Sequence, residues 1–115
     1  MHSQEEKIQE FGRLLDILAE LRVKCPWDRE QTFDSLRTHT VEEVFELTDA
    51  IAGKDVVAIR KELGDILLHV IFYAQIGSET ADFDIFDVCR SLNEKLVYRH
   101  PHVFGQVAAD NAKAV

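Results

Sequence analysis

The stretch Ile66-Leu67-Leu68-His69-Val70-Ile71-Phe72-Tyr73-Ala74-Gln75-Ile76 is apolar nearly all the way round a helix. Whatever this chain folds into must therefore bury one helix on most of its sides. Other segments can cover it. Ile8, Phe11, Leu14, Leu15, Leu18, Leu21 and Arg22 recur at threes and fours, which is one helix face over about residues 4–23. Pro26 ends that helix, because proline disfavours helix at the residue before it. A second helix is expected over about 33–52, with Gly53 at its C-cap. Inside it, Thr40-Val41-Glu42-Glu43 reads as a capping box and allows a break near Thr40. A third helix, capped by Asp55, runs to about Glu79; a fourth starts near Asp84, runs to about Arg99 and is stopped by Pro101.

With 5 glycines and 2 prolines in 115 residues, few turns can be built. No segment alternates with period two long enough to be a strand. The expected fold is all-α: a helical domain over residues 1–105 and an Ala-rich tail, 106–115, that frays. No apolar run reaches the roughly 18–20 residues of a membrane span, which sets a membrane protein aside. Two cysteines, Cys25 and Cys89, make no disulfide framework. The opening MHSQEEKIQEF carries acids and no apolar leader, so the expected address is a reducing cytoplasm. Lys and Arg number 13 against 21 Asp and Glu, a formal charge of −8. So acidic a chain is ill suited to gripping a nucleic-acid backbone and better suited to holding cations.

The acids are not scattered. Glu42, Glu43, Glu46 and Asp49 fall within about a third of one helix circumference, an arrangement that a solvated outer face would also produce. Glu62 and Asp65, however, stand at the entrance to the apolar run and form a polar stripe with His69. Carboxylates on a buried helix need a partner. Arg60 and Lys61 are expected to point to other sides, which leaves a metal ion. Gly64, between the two acids, suits a close approach to the backbone. Folding the two helices back across Gly53-Lys54-Asp55 brings the acid pairs face to face. An all-oxygen donor set favours magnesium, manganese or calcium, and magnesium held this way usually meets its substrate through phosphates. A di-iron site, which wants Glu-x-x-His on two helices, does not fit.

Glu42-Glu43-x-x-Glu46, with Glu62-Leu63-Gly64-Asp65 beginning sixteen positions after Glu46, resembles the EExxE…ExxD signature of the MazG nucleoside triphosphate pyrophosphohydrolases. Cys25-Pro26-Trp27-Asp28-x-x-Gln31-Thr32 before it and Lys95-Leu96-x-x-Arg99-His100-Pro101-His102-Val103-Phe104 after it agree. The resemblance implies a four-helix-type unit that assembles as a homo-oligomer, at least a dimer. It also implies magnesium-dependent hydrolysis of nucleoside triphosphates to monophosphate and pyrophosphate, with manganese able to substitute. The metal ligands map onto Glu43, Glu46, Glu62 and Asp65; Glu42 and Glu43 are the catalytic acids. Lys95 and Arg99, at i, i+4, suit phosphate oxygens and would offset charge on the leaving pyrophosphate, with Asn93 adding a hydrogen bond. Trp27 either stacks on a base or packs into the core. His100 and His102 read as structural, and Cys25 as packing. A pyrimidine-selective dUTP or dCTP pyrophosphatase and a non-catalytic nucleotide-binding dimerisation module are the alternatives.

Overall fold

Each long helix begins where a short polar side chain takes up free backbone N–H groups of the first turn. In the computed structural model, which describes residues 1–105, Ser3 and Glu6 form a reciprocal capping box at the start of α1 (Gln4–Lys24). Thr32 and Ser35 do the same for α3 (Phe33–Ala52) and Asp84 and Asp87 for α5 (Ile85–Arg99), while Asp55 caps α4 (Val56–Glu79). These boundaries lie within a residue or so of those expected. The proposed tail, 106–115, lies outside the described residues.

Three local features differ from expectation. Pro26 ends α1 but also opens a short α2 (Pro26–Glu30), and Pro101 likewise opens α6 (Pro101–Phe104). A proline has no N–H to lose at a first helical position, and its fixed φ suits that site. Nor is there a break at Thr40: α3 is continuous, and the Thr40 hydroxyl donates to the Leu36 carbonyl at 3.1 Å. Finally, Gly53 is the C-cap of α3 yet keeps a helical φ of −80°; Lys54, at φ 55°, makes the left-handed step. The Asp55 N–H closes the turn onto the Ala50 carbonyl at 3.1 Å.

The hairpin of α3 and α4 is the main interface, with α1 packed on α4 and α2 on α1. Leu18, Leu36, Ile71, Phe72 and Ile76 form the core, flanked by Phe11, Leu14, Leu15, Tyr73 and Ile85. Phe33 stacks on Tyr73 at 5.8 Å. Gly77 lets the Phe83 ring lie against α4, since a Cβ there would come within 2.7 Å of the ring. One polar clamp joins three elements. Arg22 of α1, its side chain only 13% exposed, donates to both oxygens of Glu79 at 2.8 and 2.9 Å. It also donates to the carbonyls of Asp28, Arg29 and Gln31 at 2.7, 3.2 and 2.8 Å, and its guanidinium lies over the Phe72 ring.

Among the described residues the α5 backbone comes within 8 Å of α4 and α6 but not of α1 or α3. The radius of gyration is 17.4 Å, against about 13 Å for a compact domain of this length. A four-helix arrangement is therefore not closed within one chain. The apolar run of α4 is covered on one side only: Ile71, Phe72, Ala74 and Ile76 are buried, while Leu63, Leu67, Leu68 and Val70 keep between 37% and 53% of their surface. No described helix is long and apolar enough to cross a membrane.

Candidate metal centre

The turn at Lys54 sets the register of the site. Glu43 lies eleven positions before Lys54 and Asp65 eleven after; Glu46 and Glu62 lie eight before and eight after. Folding α3 back on α4 thus brings both acid pairs to one level of the hairpin. One carboxylate oxygen each from Glu43, Glu62 and Asp65 lies within 4.8 Å of the other two. Among the described residues this is the one cluster of three or more metal-ligating side chains. Glu62 is 7% exposed, and Glu43 and Asp65 are half-buried.

Packed this closely, Glu43 and Glu62 titrate together. Glu43 is pushed up to about 7, first by the hydrogen bond it shares with Glu62, then by burial and the charges of Glu46 and Asp65. Glu62 is held down by the same shared hydrogen bond, against its burial, with help from Lys61 and Glu46. The two behave as a pair holding one proton, because like charges this close do not both ionise cheaply. Once that shared proton is lost, Glu43 Oε2 and Glu62 Oε2 are buried without a hydrogen-bond partner. Buried carboxylate oxygens ordinarily have one. Two orphaned oxygens in an all-oxygen cluster fit a hard divalent cation such as magnesium.

Lys61 corrects the sequence reading. It does not point away: its Nζ donates to Glu62 Oε1 at 3.2 Å and to Asp65 Oδ2 at 3.1 Å, and both acids raise its pKa, Asp65 most. The i, i+4 spacing of Lys61 and Asp65 was the readable signal. Glu46 is exposed and outside the trio, though its charge reaches Glu43 and its carboxyl reaches Glu62. Glu42 is exposed on the outer side, 3.8 Å from His39, and Asp49 is exposed as well. Among the described residues, nothing beyond its own helix backbone comes within 4 Å of a Cβ placed on Gly64.

His69, half-buried one turn beyond Asp65, shares a 2.6 Å hydrogen bond with the Thr40 hydroxyl, which also meets the Tyr73 hydroxyl at 2.5 Å. Burial, and secondarily the charge of His39, holds its pKa down. Trp27 is 55% exposed on α2 rather than packed in the core. Asn93, Lys95 and Arg99 are exposed on α5, whose Cα atoms stay more than 8 Å from those of α3 among the described residues. His100 Nδ1 lies 2.6 Å from the Leu96 carbonyl as part of the α5 end.

The raised Glu43 pKa has a measurable consequence. Between the ordinary glutamate value, about 4.3, and about 7, the folded state binds more protons at Glu43 than the unfolded state does. Its contribution to stability therefore falls as pH rises through that window and levels off above it. His69 acts in the opposite direction, so the comparison is with Glu43→Gln. In EDTA, the melting temperature of Glu43→Gln minus that of wild type is expected to grow from about pH 5 to about pH 7 and then flatten. A difference independent of pH would mean that Glu43 does not carry the shared proton.

The MazG nucleotide pyrophosphohydrolase domain family matches residues 31–104. The chain is 45% identical over 111 residues to a nucleoside triphosphate pyrophosphohydrolase of Escherichia coli (strain K12), a match covering 94% of this chain and 42% of the relative. It is 50% identical over 97 residues to the nucleoside triphosphate pyrophosphohydrolase/pyrophosphatase MazG of Thermotoga maritima, covering 83% of this chain and 38% of that protein. The chain thus spans less than half the length of these relatives. In fold it is similar to the crystal structure of a mazG-related protein from Thermotoga maritima, with a TM-score of 0.76 at 24% identity over 90% of each chain.

Proposed function

The chain belongs to the MazG nucleotide pyrophosphohydrolase domain family, and from that premise we propose that it hydrolyses nucleoside triphosphates to monophosphate and pyrophosphate at the α3–α4 carboxylates, with magnesium as the cation. The observation that carries this reading is the pair of buried, unpartnered oxygens, Glu43 Oε2 and Glu62 Oε2, in a trio completed by Asp65. Glu43, Glu62 and Asp65 hold the ion, with Glu46 at the rim. The bound cation supplies neutralising charge for phosphate oxygens and makes water more acidic. With no ion bound the Glu43 carboxyl is pushed up to about 7; a dication beside it lowers that value, and Glu43 then serves both as ligand and as proton acceptor at the site. Glu42, exposed beside His39, receives protons at the solvent edge. Trp27, Lys95 and Arg99 contact the nucleotide, with Asn93 adding a hydrogen bond from the same helix; what supports this is the sequence blocks that Trp27, Lys95 and Arg99 belong to and, for the two cations, their having no ion pair among the described residues.

The functional unit is residues 1–105, because α1 supplies Leu18 to the core although the family match begins at residue 31. A cytoplasmic address accords with two free cysteines. The test is pyrophosphate release from a panel of ribo- and deoxyribonucleoside triphosphates. Release from many of them with magnesium or manganese, and little with calcium, is the expected result. Release from dUTP or dCTP alone supports a pyrimidine-selective enzyme, and release from none supports a binding module.

The same reading includes a homo-oligomer. It is supported by the uncovered Leu63, Leu67, Leu68 and Val70 on α4 and by Phe86, Leu92, Leu96 and Val97 on α5, apolar surface that a second copy would cover. Light scattering at micromolar concentration is expected to give at least twice the chain mass. A stable particle of one chain would overturn it.

A further inference from the structure

Lys61 is the basic side chain that touches the carboxylate trio among the described residues. Its ammonium bonds one oxygen of Glu62 and one of Asp65, while the second Glu62 oxygen is buried and unpartnered. Glu62 is 7% exposed, whereas the Lys61 side chain is 68% exposed. The carboxylate is therefore the fixed member of the pair and the lysine the movable one. Arg60, next in sequence, makes no ion pair among the described residues. Resting on the reading of this cluster as a divalent-cation site, we infer that Lys61 is a built-in counter-ion that a divalent cation must displace, so that this residue sets the concentration at which the site fills.

An ammonium and a metal ion are alternative countercharges for the same oxygens. With no ion bound, the trio and Glu46 repel one another, and Lys61 relieves part of that repulsion. An arriving dication either meets the ammonium across two shared carboxylates or sends the lysine into solvent on its flexible stem. Both routes weaken binding. Each contact of an exposed ammonium of this kind is worth roughly a 1.4- to 5-fold factor, so the two together hold the dissociation constant up by about two- to thirtyfold. A free monovalent cation gains nothing over the tethered ammonium, so the device also favours divalent ions over monovalent ones.

The test is calorimetric titration of manganese into the whole chain at constant ionic strength and about pH 8. Lys61→Met is expected to bind manganese about two- to thirtyfold more tightly than wild type. Arg60→Met, which removes a nearby charge without touching the trio, is expected to change affinity less than about twofold. Without metal, Lys61→Met should melt below wild type, and manganese should close that gap. Equal or weaker binding by Lys61→Met overturns the inference while leaving the metal site in place, as does equal tightening in Arg60→Met. Wild type that binds no manganese, or binding that Asp65→Asn leaves unchanged, overturns the inference together with the metal site it rests on.

Discussion

Asp65→Asn is expected to abolish pyrophosphate release and to remove most of the stabilisation that magnesium gives the folded chain. Asn keeps the shape of the side chain and deletes one charge from a trio whose ligand atoms lie within 4.8 Å. At a hundredfold excess over its dissociation constant, an ion that binds only the folded state stabilises it by about 2.7 kcal/mol, and most of that should vanish in the variant. The metal-free effect should be small. Removing Asp65 relieves repulsion on Glu43, but it also breaks the Lys61–Asp65 contact at 3.1 Å, and exposed pairs of that kind are worth about 0.2–1 kcal/mol. The two nearly offset, so wild type and variant should melt within a few degrees of each other in EDTA. An acid on an ordinary solvated face would behave otherwise, shifting stability by about 0.5 kcal/mol or less with the magnesium effect intact. An unchanged magnesium shift in Asp65→Asn would show that this residue does not hold the ion.

The second large effect lies away from the carboxylates. Arg22→Met is expected to destabilise the fold by about 3 kcal/mol. Methionine keeps an apolar stem against Phe72 but leaves the part-buried Gln31 carbonyl without its donor and takes one donor from the carbonyls of Asp28 and Arg29, and an unsatisfied buried group costs about 1–3 kcal/mol. Breaking a buried ion pair by removing one partner typically costs about 3–5 kcal/mol. The figure sits at the low end because the Glu79 side chain is 38% exposed and water can solvate it. On a domain of this size that is on the order of 10 °C in melting temperature. The loss should appear with and without magnesium, which separates it from the Asp65 variant. A change of less than about 1 kcal/mol in denaturant melts would mean that the clamp contributes little.

The helices were readable because what begins them is local. Ser3, Thr32, Asp55 and Asp84 each bond within three residues of themselves, so the caps lie in one short window of sequence. The acid pairs were readable for a related reason: i, i+3 spacing puts each pair on one helix face, and a three-residue turn leaves two consecutive helices little choice but to lie side by side. Proline ends α1 and α5 where expected, but the rule that it ends a helix hides the fact that it also starts one. Lys61 was misplaced because its backbone position on α4 does not fix where a long, flexible side chain ends; a nearby negative charge does.

Arg22 occupies an apolar stripe in the sequence, and nothing within a few residues of it announces Glu79, fifty-seven positions away. The sequence by itself determined the helices, their caps and which acids share a face, all of which depend on residues a turn or two apart. Only the tertiary structure decided that Glu46 stands outside the close trio of Glu43, Glu62 and Asp65, that Arg22 closes on Glu79, and that the described α5 backbone stays more than 8 Å from α1 and α3. Those outcomes depend on how side chains from distant parts of the chain fill the space between helices.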